Sequence, residues 1–262
     1  ALVNSNVENA NINQNVVRLR VNSKFTTPQY LACFLNSKLV RFQIDNLFSG
    51  TYPILTYPKI KALKIFIKSK AVEKSVTDNM IKAEKLHIEA LELISKAQKL
   101  FIESLNVDFS KIKSNNFFAV SNDIYDAEES MIPSFYYPLY LNTINEIKKN
   151  NKCVRLGNVA KCENGNEVGS VNYKKYLDRK ETDIKFIRTT DICNYDIDLY
   201  PDFYIEKDIA KTFKQDLLPQ DIIYTNDGKI GLTAMITESD NCLIQSHLER
   251  IRCFDINPYY LF

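Results

Sequence analysis

The spacing of hydrophobic positions changes along the chain, and each change marks an element. From residue 71 to 105 there is no Gly or Pro and helix formers dominate. Within that stretch Val76, Ala83, Ala90 and Ala97 recur every seventh residue, with Leu86, Leu93 and Leu100 between them and Asn79 in the first place of that second series. Such a heptad predicts a long helix with a small residue at one seam position and leucine at the other, suited to an antiparallel partner helix. The plainer reading is one amphipathic helix packed on its own domain. At ~1.5 Å per residue, however, the helix would extend about 50 Å, more than a compact domain usually needs, and it reads as a spacer.

The flanking pattern is shorter in range. Residues 28–48 predict a helix ended by Ser49-Gly50, and 62–68 predict a strand after the Tyr57-Pro58 turn. Residues 107–134 form a polar, aromatic-containing connector with a short strand expected at 117–120, and 137–150 predict another helix. Beyond Cys153 short apolar runs alternate with turns, giving strands at 154–160, 184–188, 221–225 and 232–236. The expected class is α+β, a strand-rich mixed α/β domain beside a long coiled-coil-like helix.

The two ends of the chain resemble each other. Ile12-Asn13-Gln14-Asn15-Val16-Val17-Arg18-Leu19-Arg20 is followed by Pro28-Gln29-Tyr30-Leu31, and Ile244-Gln245-Ser246-His247-Leu248-Glu249-Arg250-Ile251-Arg252 by Pro258-Tyr259-Tyr260-Leu261. Each copy has an apolar residue, three polar residues and an alternating strand ending Arg-apolar-Arg. A turn then leads to a proline placed to open a helix. The order and spacing suggest two copies of one unit, the first entered late and the second left early.

Composition narrows the choices. The 262 residues are 45% hydrophobic and 25% charged, which is ordinary for a globular protein. No apolar run approaches the ~20 residues of a membrane span, and a cytoplasmic location is expected. A chain opening Ala1-Leu2-Val3-Asn4, with neither a start methionine nor a signal-peptide pattern, is expected to be a piece of something longer. Net charge is only +2, so any phosphate-binding surface must be a local concentration of Lys and Arg. Cys33, Cys153, Cys162, Cys193, Cys242 and Cys253 are scattered without CxxC or zinc-finger spacing, and His87 and His247 are isolated. These thiols read as reduced and no metal site is expected.

Several stretches, in order, resemble the specificity subunits of type I restriction–modification enzymes. Val154-Arg155-Leu156-Gly157-Asn158-Val159-Ala160 with Gly165 and Gly169-Ser170 resembles the entry to a target-recognition domain. Ile187-Arg188-Thr189-Thr190-Asp191-Ile192 resembles its first core strand and turn. Leu217-Leu218-Pro219-Gln220-Asp221-Ile222-Ile223-Tyr224-Thr225 with Gly228-Lys229-Ile230-Gly231 resembles its middle, and the Gln245-to-Arg252 strand its close. The earlier copy carries the matching close, then Phe34-Leu35-Asn36-Ser37, Gly50 and a strand before the spacer. The family's Pro-rich run and Gln before the spacer are replaced by Ile67-Lys68-Ser69-Lys70, and Met131-Ile132-Pro133-Ser134-Phe135-Tyr136-Tyr137 resembles connectors of regions coupled to adenine methyltransferases, which leaves the subfamily open.

The resemblance implies the end of a first target-recognition domain at 1–70, a spacer helix at 71–105, a connector at 106–152 and a second recognition domain at 153–262, stopping before its own spacer. It implies double-stranded DNA, a methyltransferase (M) subunit and a restriction (R) subunit as partners. No cofactor is expected in this chain, S-adenosylmethionine belonging to the methyltransferase partner, and no catalytic residue is assigned. Diverged tandem copies suit two different half-sites, which a spacer of this length would hold about a helical turn or more apart. Base reading needs Arg or Lys for guanine, Asn or Gln for adenine, and Ser or Thr as versatile partners. The DNA-binding candidates are Asn164, Lys174, Lys175, Lys180, Arg188, Thr189, Thr190, Lys229 and Ser246, with Asn166, Arg179 and Asn194 beside them. The partner-helix seam is Val76, Ala83, Leu86, Ala90, Leu93, Ala97 and Leu100.

The chain lacks visible chemistry of its own. Asn257-Pro258-Tyr259-Tyr260 resembles the Asn-Pro-Pro-Tyr motif of adenine-N6 methyltransferases, but the second Pro and an upstream Gly-rich loop are missing, and Thr27-Pro28-Gln29-Tyr30 takes its place in the other copy. A helix start explains both. Arg250 and Arg252 share one face of a strand and read as structural rather than phosphate-binding, and the Gly228-to-Gly231 run as a hairpin turn. Two rival readings stay open. One is the C-terminal specificity region of a single-chain restriction–methylation or phage-defence methyltransferase; the other is a coiled-coil adaptor with a β-rich binding head.

Overall fold

The computed structural model describes residues 2–3, 11–47, 55–112, 118, 132–172, 184–193 and 195–262. The chain is α+β, with mixed helices and sheets and one long helix, and divides into two compact units, Ala1–Asn150 and Asn151–Phe262.

The described part of the first unit is helical: α1 (Pro28–Leu35), α2 (Lys38–Asp45), α3 (Tyr57–Lys61), α4 (Lys70–Ser104) and α5 (Pro138–Asn150). The single helix expected over 28–48 is broken between α1 and α2. Asn36 and Ser37 turn their side chains onto the carbonyls of Ala32 and Phe34 (2.8 and 2.6 Å), a local alternative that ends the helical ladder. The strands expected at 16–20 and 62–68 do not form; both stretches are irregular. A strand needs a ladder partner, and no described residue of this unit offers one. Of the strand expected at 117–120 only Phe118 is described, and it belongs to no element.

Helix α4 runs unbroken for 35 residues, about 50 Å at ~1.5 Å per residue. Ser69 caps its start by accepting from the Val72 N–H. Among the described residues its first turns carry the packing: Tyr30, Phe34 and Val40 form a small core with Val76 against it, and Thr27 and Thr77 hydroxyls meet at 2.7 Å. Glu73 is buried there and ion-paired with Lys70 at 2.9 Å.

The second unit is built on two sheets. A four-stranded antiparallel sheet has the order β1 (Ala160–Asn164), β9 (Leu248–Cys253), β6 (Ile222–Thr225), β7 (Thr233–Met235). A three-stranded sheet has the order β5 (Tyr204–Ile205), β2 (Ile184–Ile187), β8 (Cys242–Ile244), with β2 and β8 parallel. A small pair, β3 (Ile192–Cys193) with β4 (Asp196–Ile197), completes the strands described, and two short helices, α6 (Lys207–Ala210) and α7 (Pro258–Leu261), complete the unit. The expected strand at 154–160 begins only at Ala160, because Leu156–Asn158 tighten into a 3-10 turn.

Register explains the apolar runs. Phe186 lies opposite Leu243 and Ile187 opposite Ile244. The first pair enters a core with Val168, Phe203, Ile205 and Ala210, and the second a core with Ile192, Ile223, Ala234, Ile236 and Leu248. The middle sheet is therefore buried on both faces, as a continuous apolar strand requires. The outer face of the four-stranded sheet carries Ala160, Ile222 and Ile251 beneath Leu261 and Phe262 of the C-terminal turn.

Candidate nucleic-acid interface

Strand register brings the turns of the second unit to one edge. Thr225 lies opposite Leu248, and Asn164 opposite Glu249, so the chain leaving β1, the β6–β7 loop and the turn entering β9 meet at the same end of the sheet. The parallel pairing of Ile187 with Ile244 sends Arg188 and Gln245 toward each other's level. Four loops thus converge: 165–172, 188–191, 226–232 and 245–247.

They are fastened to each other by the backbone. Gly165 donates to the Leu248 carbonyl (2.9 Å), Asn166 to the Ile244 carbonyl (3.0 Å), and Ser246 returns a bond to the Asn166 carbonyl (3.1 Å). A β-carbon on Gly165 would lie 2.3 Å from the carbonyl oxygens of both Ile244 and Gln245, so only glycine fits this approach. Gln215 locks the joint, its amide donating to Asn166 Oδ1 and the Ile244 carbonyl (2.7 and 2.6 Å) and its Oε1 accepting from the Ile244 N–H (2.9 Å).

The side chains presented on this frame are mainly amides, hydroxyls and a few charges. Asn226 Nδ2 makes a long bond to Asn164 Oδ1 (3.4 Å). Ser246 Oγ donates to Glu167 Oε2 (2.9 Å), while the Gly169 N–H donates to Glu167 Oε1 (2.9 Å). The Ser246 hydroxyl, the Gly169 N–H and nearby His247 hold the Glu167 carboxyl below its ordinary range. His247 Nδ1 meets Asp227 Oδ2 at 2.9 Å. The β6–β7 loop carries exposed Lys229 between Gly228 and Gly231, both in the left-handed region (φ 70° and 92°). The Thr225 hydroxyl fixes that loop, donating to the Lys229 carbonyl and accepting from the Leu232 N–H (2.9 Å). A β-carbon on Gly228 would come within 4.0 Å of the Thr189 hydroxyl, which places the 188–191 turn beside the loop.

Among the sequence candidates, Asn164, Thr189, Lys229 and Ser246 therefore share this edge. Thr190 is exposed on the adjoining 3-10 turn. Arg188 is occupied: its guanidinium lies 4.0 Å over the Phe203 ring and reaches Asp191 (3.6 Å) and Asp202 (3.4 Å). Asn166 is spent on Gln215. Lys174, Lys175 and Lys180, with Arg179 and Asn194, lie outside the described residues. Glu167, Asn226, Asp227 and His247 were not singled out from sequence. Their only signal was position: each flanks a glycine turn or the start of a repeat copy.

Arg250 and Arg252 are both engaged by carboxylates of their own unit. Arg250 is buried against Glu163 and Asp216, and Arg252 bridges Asp216 Oδ2 (2.9 Å) and Asp221 Oδ2 (2.7 Å). Their repeat counterparts Arg18 and Arg20 are exposed. Asn257 caps α7 by accepting from the Tyr259 N–H, as Thr27 caps α1 from the Tyr30 N–H, so both Pro motifs open helices.

In the first unit Val76 is half-buried, while the rest of the seam is open: Ala83, Ala90 and Ala97 are exposed, and Leu86, Leu93 and Leu100 are 55, 58 and 69% exposed. A polar cleft of the same unit, between Asp108 and Lys149, has both its lysines ion-paired, Lys111 to Asp108 and Lys149 to Glu146.

All six cysteines are free, and burial pushes the Cys242 thiol up to about 12. Among the described residues no group of His, Cys, Asp and Glu side chains could hold a metal ion, and no helix is long and apolar enough to cross a membrane.

No protein-family model matches the chain, and no curated protein does. Two solved structures are similar to it: an HsdS subunit from Thermoanaerobacter tengcongensis, and one from work on complex assembly and conformational transition of the type I R-M system. Each is 17% identical, with 93% of this chain and 53% of the other chain covered and a TM-score of 0.32. The chain spans about half the length of the solved chains it matches.

Proposed function

We propose that the chain reads DNA sequence, as a specificity module of type I restriction–modification character, with the loop edge of the second unit placed against the duplex. The observation that carries this reading is the convergence of Asn164, at the end of β1, with Asn226, Ser246, Thr189 and Lys229, on three of the loops fastened to the same sheet edge. Amides and hydroxyls are the groups that read base edges, and a rigid sheet supplies the preorganisation that such readout needs. Lys229 would contact a phosphate and set register. The buried Arg250 and the half-buried Arg252 hold the frame instead of touching nucleic acid.

On this reading the open seam of α4 receives a partner helix, an adenine methyltransferase subunit binds that helical frame, and a restriction subunit joins the complex. S-adenosylmethionine would be held by the methyltransferase. The first unit would belong to a recognition domain for a second half-site, giving a bipartite target. The test is selection of duplexes from a random library by the chain, alone and with a methyltransferase partner. An enriched sequence whose binding weakens steeply with salt supports the proposal. Recovery of unenriched DNA in both settings contradicts it.

A further inference from the structure

Glu167 does not fit a phosphate-binding surface. It is an exposed carboxylate on the candidate edge, yet its orientation is fixed at both oxygens: Oε2 accepts from Ser246 Oγ and Oε1 from the Gly169 N–H, each at 2.9 Å. A carboxylate oxygen has two acceptor sites, so these two bonds leave acceptor capacity on an exposed group. The anchors belong to separate loops, 165–172 and 245–247, that Gly165 and Gln215 weld together.

On duplex DNA a phosphate repels such a group. The groups that can meet an ionised acceptor are the exocyclic amino groups of bases, cytosine N4 and adenine N6 in the major groove. An amide or hydroxyl adapts to several base edges by rotating. A carboxylate accepts only, and one clamped on both oxygens cannot turn away. Asn164, the last residue of β1, and Asn226, on the β6–β7 loop, bond each other at the same edge and would contact neighbouring bases.

Resting on the DNA-reading proposal above, we infer that Glu167, positioned by Ser246, is a specificity-determining residue that selects a base presenting an exocyclic amino group at one position of the half-site. Keto-bearing bases, guanine O6 or thymine O4, are excluded there by acceptor–acceptor repulsion.

The experiment compares duplexes selected by the wild-type chain with those selected by Glu167→Gln and by Ser246→Ala, then titrates single-position variants of the wild-type site. Expected are a cytosine or adenine at one position, preferred about tenfold or more by the wild type, and loss of that preference in Glu167→Gln with the other positions unchanged. N4-methylcytosine and N6-methyladenine duplexes distinguish which amino group is read. Ser246→Ala keeps the charge but frees it to rotate, so it weakens discrimination at that same position. An unchanged preference in Glu167→Gln overturns the inference while leaving DNA reading intact. A loss spread evenly over all positions in both variants also overturns it, since it would mean that Glu167 only braces the loops. No enriched sequence from the wild type removes the DNA-reading proposal and this inference with it.

Discussion

Replacing Gly165 by alanine perturbs the joint on which the candidate interface is built. The new methyl would lie 2.3 Å from two backbone carbonyl oxygens, against a normal contact of ~3.5 Å, so one strand end must retreat by roughly 1 Å. The atoms met are backbone, not the tip of a flexible side chain, and they carry bonds to Asn166 and Gln215. Overpacking of this kind costs about 1–3 kcal/mol, and each backbone hydrogen bond weakened with it about 1 kcal/mol. Alanine would restrict the unfolded chain and return about 0.4–1 kcal/mol, too little to change the sign. The net loss is about 3 kcal/mol, which for a unit of this size lowers Tm by roughly 12 °C. Thermal unfolding followed by circular dichroism reads the shift, and hydrogen exchange reads where it originates: the amides of 165–166 and 246–248 lose protection first. A Tm unchanged or raised would refute the close approach and with it the geometry of the edge.

Other expectations follow from the same coordinates. Arg252→Ala leaves Asp221, only 2% exposed, without its counterion and costs about 3 kcal/mol in denaturant unfolding; adding Asp221→Asn should recover part of the loss, and a purely additive double mutant would argue against the pair. Arg252 holds the Asp216 carboxyl below its ordinary range, so the folded state binds fewer protons than the unfolded one. That stabilisation is complete above the unfolded value of about 4 and is lost as pH falls through the lowered folded value. Burial raises Asp191 and opposes the trend; Asp216→Asn should flatten the acid limb of a Tm–pH profile, and an identical limb would contradict this. Lys229→Ala should weaken binding to all duplexes alike and reduce the salt slope by about 1; a change confined to one sequence would assign it to base reading instead. Leu93→Lys, at a position 58% exposed, should leave stability within about 0.5 kcal/mol while preventing co-purification with a helical partner.

The parts of the fold legible in sequence were those with local causes. The long helix needed only an unbroken run of helix formers and a seam, and its bounds came out within a residue. The hairpin around Gly228 and Gly231 and the two Pro-opened helices were also written in short-range chemistry. What was lost depended on partners. Residues 16–20 carry the same ending as β9, but β9 is a strand because β1 and β6 flank it, and no described residue does this for 16–20. The helix over 28–48 broke at Asn36-Ser37, where side chain–backbone competition outweighed apolar spacing. The site was legible by residue type and not by role. Arg188 looked free and lies over Phe203; Asn166 looked free and belongs to Gln215. Glu167 went unnoticed and His247 read as isolated because their neighbours come from other turns, Ser246 lying 79 positions from Glu167 and Asp227 meeting His247 across the β6–β7 loop.

An edge of the second unit that faces DNA will crosslink to it on irradiation. Duplexes of a selected sequence carrying bromodeoxyuridine at successive positions would be irradiated with the chain and the attached peptides identified by mass spectrometry. Crosslinks confined to 164–172, 188–191, 226–232 and 245–247 are predicted. Crosslinks concentrated at the opposite edge, in 237–241 and 254–257, or none above those given by a scrambled duplex, would contradict the account.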